Sequence, residues 1–117
     1  MALTVYGIPT CGTVNKARKW LDEHDITYDW VDFRQTPPSR TQVERWVGAF
    51  GARAMRNTSG GAYRKLPDAK KTWDEATWTA HFAEDPMLIK RPVVERDGEP
   101  VRVGWRASDE ELLDQLS

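Results

Sequence analysis

Within the first 33 residues the hydrophobic period changes twice, and no other feature of the chain limits the fold as much. Leu3 to Ile8 is mostly apolar and β-branched or aromatic, the pattern of a strand buried on both faces in a parallel sheet. From Thr13 the period turns helical. Val14, Ala17 and Leu21 share one face, and Asn15, Lys16, Arg18 and Lys19 take the other. The helix is expected to end near His24-Asp25. Thr27 to Phe33 then alternates, with Tyr28, Trp30 and Asp32 on one side and Asp29, Val31 and Phe33 on the other, which predicts a second strand. A strand, a helix and a strand in about 30 residues make a βαβ unit with parallel strands.

Thr36-Pro37-Pro38 breaks this pattern. Ser39 and Gln42 have capping-box spacing, and Val43, Trp46, Val47 and Phe50 recur at i, i+3, i+4, i+7. A helix is expected from about Ser39 to Phe50, stopped by Gly51, with a further helical turn in 52–57. Thr58-Ser59-Gly60-Gly61 reads as a loop. Thr72 and Glu75 suggest a second capping box before a helix from about Asp74 to Glu84, with Trp78 and Phe82 one turn apart. Asp85-Pro86 ends it. Pro92 to Arg96 and Pro100 to Gly104 flank Asp97-Gly98, a hairpin signal. Ser108 and Glu111 form a third capping-box spacing, and Leu112, Leu113 and Leu116 supply the apolar stripe of a last helix. The predicted order is βαβ (1–35), a helical insertion (about 39–85) and ββα (about 92–117), read as a single domain. Its fold class is α/β, with one mixed four-stranded sheet of thioredoxin-like or glutaredoxin-like type.

Composition narrows the functions. A net charge of −1 argues against general nucleic-acid binding, which needs a basic excess. No apolar run approaches the roughly 20 residues of a membrane span, and no signal peptide is visible at the N-terminus. The single cysteine cannot form an internal disulfide, which fits a reducing cytoplasm. Six tryptophans point to a core built largely from big rings. Cys11, His24 and His81 have no metal-ligand spacing, so no metal site is expected, and both histidines are expected to be solvated. No Gly-rich phosphate loop is present.

Cys11 stands in a strand-to-helix turn, after Pro9-Thr10. A cysteine without context is most often a small buried hydrophobe. The loops that follow parallel strands are where such folds place their sites, which reverses that reading. A helix N-terminus offers free N–H groups and a partial positive charge, which favour the reactive thiolate. The N–H groups of Gly12, Thr13 and Val14 are placed to face the sulfur or an oxyanion beside it. Gly12 allows close approach, and the Thr13 hydroxyl can donate a further bond. Arg91, Arg106 and Arg56 are candidate anion ligands, since arginine offers a permanently charged fork to carboxylates and oxyanions. Each alone is more often a solvated surface charge. Arg91 directly precedes Pro92, a candidate cis-proline.

The stretches Tyr6-Gly7-Ile8-Pro9-Thr10-Cys11-Gly12-Thr13-Val14-Asn15-Lys16-Ala17, Asn57-Thr58, Tyr63-Arg64-Lys65-Leu66, Ile89-Lys90-Arg91-Pro92 and Val103-Gly104-Trp105 resemble the arsenate reductase-related family of thioredoxin-like fold. That family includes glutaredoxin-linked arsenate reductases, Spx-type regulators and YffB-type proteins, and the pattern is closest to the YffB-type branch. The resemblance implies that Cys11 is the nucleophile, with Arg91 and Arg106 as oxyanion or glutathione ligands. The reductase pattern after the second of these is Arg-Pro-Ser-Glu, where this chain has Arg106-Ala107-Ser108-Asp109. A third reductase arginine falls near Arg56, and alignment through Asn57-Thr58 puts Asn57 in its place. Val14 occupies the position of the second cysteine of Spx-type Cys-x-x-Cys. The function implied is a cytoplasmic thiol-dependent reductase with no bound cofactor, acting on an oxyanion or oxidised thiol and resolved by glutathione or glutaredoxin. The alternatives are a glutaredoxin-linked arsenate reductase and an Spx-like regulator that binds RNA polymerase without catalysis.

Overall fold

The computed structural model describes residues 2–106 and 108–116. Its elements run β1 (Leu3–Gly7), α1 (Gly12–Glu23), β2 (Asp29–Asp32), α2 (Arg40–Phe50), α3 (Ala52–Met55), α4 (Gly61–Arg64), α5 (Glu75–Glu84), β3 (Val93–Arg96), β4 (Glu99–Val103) and α6 (Asp109–Leu116). Short 3₁₀ turns cover Asp68–Thr72 and Pro86–Leu88. The chain divides into two compact units, Met1–Thr36 with Arg91–Ser117, and Pro37–Lys90.

The first unit carries a four-stranded sheet in the order β2-β1-β3-β4. β1 runs parallel to β2 and antiparallel to β3, and β4 runs antiparallel to β3. This is the expected βαβ–ββα sheet. Leu3, Val5 and Val94 pack with Trp20 and Leu21 of α1 and with Leu112 and Leu116 of α6 in one core cluster. Fully burying side chains of this size is worth about 1.5–3 kcal/mol each. The helical stripe read from the sequence therefore holds, with Trp20 added to Val14, Ala17 and Leu21. β2 is shorter than expected. Its ladder with β1 starts at Asp29, paired with Thr4, and Thr27 and Tyr28 precede it.

Asp97 and Gly98 both adopt positive φ, 53° and 81°, the backbone that a two-residue hairpin of primed type needs. Ser108 Oγ accepts from the Glu111 N–H at 3.3 Å, which starts α6 as its sequence suggests. Leu113, however, is 37% exposed, so the α6 stripe is Leu112 and Leu116 alone. Arg96 Nη1 donates to the Gln115 carbonyl at 2.9 Å, which puts a cation at the C-terminal end of α6, where the helix dipole favours it. One buried carboxylate went unseen in the sequence: Glu95 on β3 accepts from the Tyr6 hydroxyl at 3.0 Å.

In the second unit Ser39 Oγ accepts from the Gln42 N–H at 3.1 Å, so α2 starts where expected. Gly51, at φ 82°, ends it, and the next N–H, of Ala52, donates to Glu75 Oε2 at 2.8 Å. α5 is capped by Asp74, not by Thr72. Asp74 Oδ1 accepts from the Thr77 N–H at 2.8 Å, while the Thr72 hydroxyl donates to the Ala69 carbonyl inside the preceding 3₁₀ turn. Hydrogen bonds from Thr77, its side chain first and its backbone second, hold the Asp74 carboxyl below the usual carboxylate range. Residues 61–64, expected to begin in a loop, form the single-turn α4.

Gly7 ends β1 under the first turn of α1. A Cβ at this position would stand 2.7 Å from Val14 Cγ2 and 3.2 Å from Val14 Cγ1. Val14 is fully buried and cannot move aside freely. Gly7→Ala is therefore expected to cost about 1–3 kcal/mol through overpacking. Urea unfolding should show a lower midpoint at an unchanged slope, partly restored by adding Val14→Ala. An unchanged midpoint would contradict the close approach.

Candidate active site

The turn between β1 and α1 is built by short-range forces. The Cys11 N–H closes back on the Ile8 carbonyl at 3.3 Å, and the helix ladder begins with the Asn15 N–H donating to the Cys11 carbonyl at 3.0 Å. Cys11 is thus the N-cap residue of α1, in extended backbone (φ −86°, ψ 121°), with no side-chain cap bond. The N–H groups of Gly12, Thr13 and Val14 precede the ladder and have no acceptor within the helix. Cys11 is half-buried, and Gly12 and Thr13 are exposed. A Cβ on Gly12 would meet nothing within 4 Å, so neighbouring protein atoms do not demand glycine there. The Val14 side chain points the other way, into the core against Gly7, and only its backbone N–H is available to an anion.

The sheet register assembles further residues at the same end. Tyr6 pairs with Val93, and Val93 pairs with Val103. Residues just before β3 and just after β4 therefore lie at the end of the sheet where β1 gives way to the cysteine turn. These are Arg91 and Pro92 on one side and Gly104, Trp105 and Arg106 on the other. The Gly104 N–H donates to the Pro92 carbonyl at 2.8 Å, tying the two segments together. The Arg91–Pro92 bond is cis, as its sequence position suggested. Arg91 is half-buried and Arg106 is exposed, while Ala107 lies outside the described residues.

Arg56 and Asn57 belong to the second unit, where both side chains have local partners. The Arg56 guanidinium lies 4.2 Å from the centre of the Trp78 ring. Asn57 Nδ2 donates to the Met87 carbonyl at 3.5 Å, and Asn57 Oδ1 accepts from the Ser59 hydroxyl at 3.3 Å. A Cβ on Gly60 would stand 2.7 Å from Asn57 Nδ2, so a larger residue there would displace the Asn57 amide. The histidines differ from expectation. His24 stacks on Trp20 at 4.0 Å and its Nδ1 lies 2.8 Å from the Trp20 carbonyl, while His81 stacks on Trp73 at 4.1 Å. Neither is simply solvated. Among the described residues no cluster of three or more His, Cys, Asp or Glu could hold a metal ion, and no helix is long and apolar enough to cross a membrane.

Sequence reading missed the role of Asn15. Its side-chain Nδ2 donates to the Pro9 carbonyl at 3.2 Å while its backbone N–H holds the Cys11 carbonyl. One residue thus fastens both ends of the turn that displays the thiol. Only its small amide at the second residue after Thr13 hinted at such a bond.

The sequence matches the ArsC family over residues 6–113. The chain belongs to the ArsC family. YusI, an uncharacterized protein of Bacillus subtilis (strain 168), is 38% identical over 110 residues, 91% of this chain and 92% of its own length. The solved structure of the YFFB (PA3664) protein superposes with a TM-score of 0.87 at 35% identity, covering 98% of this chain and 99% of that one. An arsenate reductase of Yersinia enterocolitica is 26% identical over 94 residues, 79% of this chain and 67% of its own. Global transcriptional regulators named Spx match at lower identity, for example 21% over 109 residues in Streptococcus mutans, 92% of this chain and 79% of that protein. The thioredoxin-like fold and the arsenate reductase, Spx and YffB kinship read from the sequence are therefore those of this ArsC-family chain.

Asn15→Ala should slow iodoacetamide alkylation of Cys11 several-fold while shifting the urea midpoint little, because the lost bond is exposed and worth about 1 kcal/mol at most. Equal alkylation rates in the two proteins would show that the turn keeps its shape without the clamp.

Proposed function

We propose that this ArsC-family chain is a thiol-dependent reductase whose nucleophile is the Cys11 thiolate. The observation that carries the reading is the position of Cys11 as the N-cap of α1, half-buried, followed by three N–H groups outside the helix ladder. Those N–H groups can hold an oxyanion beside the sulfur. Arg91 and Arg106, brought by the sheet register to the same end, suit the carboxylates of glutathione or the charge of an oxyanion substrate.

The electron balance needs a thiol from outside, because the chain has one cysteine. With a glutathionylated substrate, the Cys11 thiolate attacks the glutathione sulfur of the mixed disulfide. A bond forms between Cys11 and glutathione, the old disulfide breaks, and the substrate leaves as its thiolate. A second glutathione thiolate then attacks the glutathione sulfur on Cys11, restoring Cys11 and releasing glutathione disulfide. The substrate sulfur is reduced from disulfide to thiolate, the incoming glutathione is oxidised from thiolate to disulfide, and the glutathione of the original mixed disulfide keeps its oxidation state throughout. No bound cofactor takes part.

A second reading, arsenate reduction, is favoured by the Yersinia enterocolitica relative. Against it stand the Asn57 that aligns with a reductase arginine and the stacking of Arg56 on Trp78. Steady-state arsenate reduction with glutathione and glutaredoxin, lost in Cys11→Ser, would favour this second reading over the first.

Mass spectrometry after brief incubation with oxidised glutathione should detect a mixed disulfide on Cys11. The adduct should form several-fold more slowly in Arg91→Ala and be absent in Cys11→Ser. A protein that gains no adduct would overturn the proposal.

A further inference from the structure

A depression of about 640 Å³ lies in the first unit beside the C-terminal half of α1 and the start of β2, lined by Arg18, Asp22, Asp25, Ile26, Thr27, Tyr28 and Trp30. Its size is in the range of small-molecule sites. Arg18 is fixed there in two ways. Its Nε donates to the Tyr28 hydroxyl at 3.1 Å, and its guanidinium carbon lies 4.2 Å from the centre of the Trp30 ring. These contacts use one edge and one face of the fork. Among the described residues the two Nη groups make no hydrogen bond or ion pair.

The neighbouring acids make this notable. Arg18 and Asp22 have the same i,i+4 spacing as Lys19 and Glu23, which do pair, at 3.9 Å. Tyr28 and Trp30 draw the Arg18 fork away from Asp22, so the opposite charges stay apart. Asp25, held at φ 54° in the turn after α1, adds a second acid to the same depression. Ile26, Tyr28 and Trp30, all half-buried, line the same depression. An arginine fork oriented in advance loses little freedom on taking a carboxylate, and it can do so through two parallel bonds. Asp22 and Asp25 offer carboxylates to an ammonium group, and the apolar residues of the depression can cover a hydrocarbon body.

We propose that this depression binds a zwitterionic, amino-acid-type ligand, its carboxylate on Arg18, its ammonium on Asp22 and Asp25, and its apolar part on Ile26 and Tyr28. The site does not depend on Cys11 chemistry.

The test titrates L-phenylalanine into the nitrogen-15-labelled full chain, following the Arg18 Nε–H and the Trp30 indole N–H by NMR. Saturable shifts of both are expected by about 10 mM, with hydrocinnamate and phenethylamine, which each lack one charge, binding at least about tenfold more weakly. Arg18→Met should abolish the shifts. The Asp22→Asn, Asp25→Asn double variant should bind L-phenylalanine no better than hydrocinnamate, which decides the matter even if the Arg18 variant folds poorly. The absence of saturable shifts by about 10 mM, equal binding of the singly charged analogues, or unchanged binding in the double variant would each overturn the proposal.

Discussion

The contact between Gly7 and Val14 governs the cysteine turn. A strand that feeds a helix through four residues has few ways to bring the helix back onto its own sheet. Here the first turn of α1 comes so close to the end of β1 that no Cβ fits between them. Val14 is driven into the core, and the remaining residues of that turn are forced outward. Cys11, Gly12 and Thr13 therefore present sulfur and N–H groups to the surface as a consequence of packing behind them. The Asn15 clamp on Pro9 and Cys11 completes the turn from the other side.

The tryptophans show a second constraint. An indole is large and carries one N–H that wants a partner when buried. Trp20 solves this by donating to Asp109 at 2.8 Å, which links α1 to the first residue of α6. Trp78 does not: its Nε1 is buried without a hydrogen-bond partner among the described residues, and its ring is instead surrounded by Arg56, Tyr63, Trp73 and Phe82. Cation–π contacts of this kind are worth about 0.5–2 kcal/mol. Arg56 is thus fixed by an aromatic face, and its planar fork has a place in the second unit independent of any anion.

Much of the fold could be read along the chain because its signals are local. The helical stripe of α1, the Ser39 cap of α2 and the Asp97-Gly98 turn each need only residues within a few positions of one another. The errors came where two local solutions competed. Thr72 and Asp74 are both able N-cap residues, and the carboxylate won because the Thr72 hydroxyl found the Ala69 carbonyl within its own turn. Leu113 does not join the buried stripe, because it stands about 100° around α6 from Leu112, while Leu116, four residues on, shares the Leu112 face. His24 stands one helical turn from Trp20, a spacing that permits the stack, whereas the stack of His81 on Trp73, eight positions away and outside α5, leaves no periodic trace.

By itself the sequence determined that there would be a βαβ start, a hairpin and a last helix, and that the lone cysteine would stand where the first strand turns into a helix. These depend on backbone propensity and hydrophobic period, which act over neighbouring residues. Only the tertiary structure decided which way the first turn of α1 faces, that Arg91, Pro92 and Gly104 come to the same end of the sheet as Cys11, and that Arg18 turns from Asp22 to Tyr28 and Trp30. Those outcomes follow from strand register and side-chain packing between segments up to about 90 residues apart, and chain order carries no direct record of such contacts.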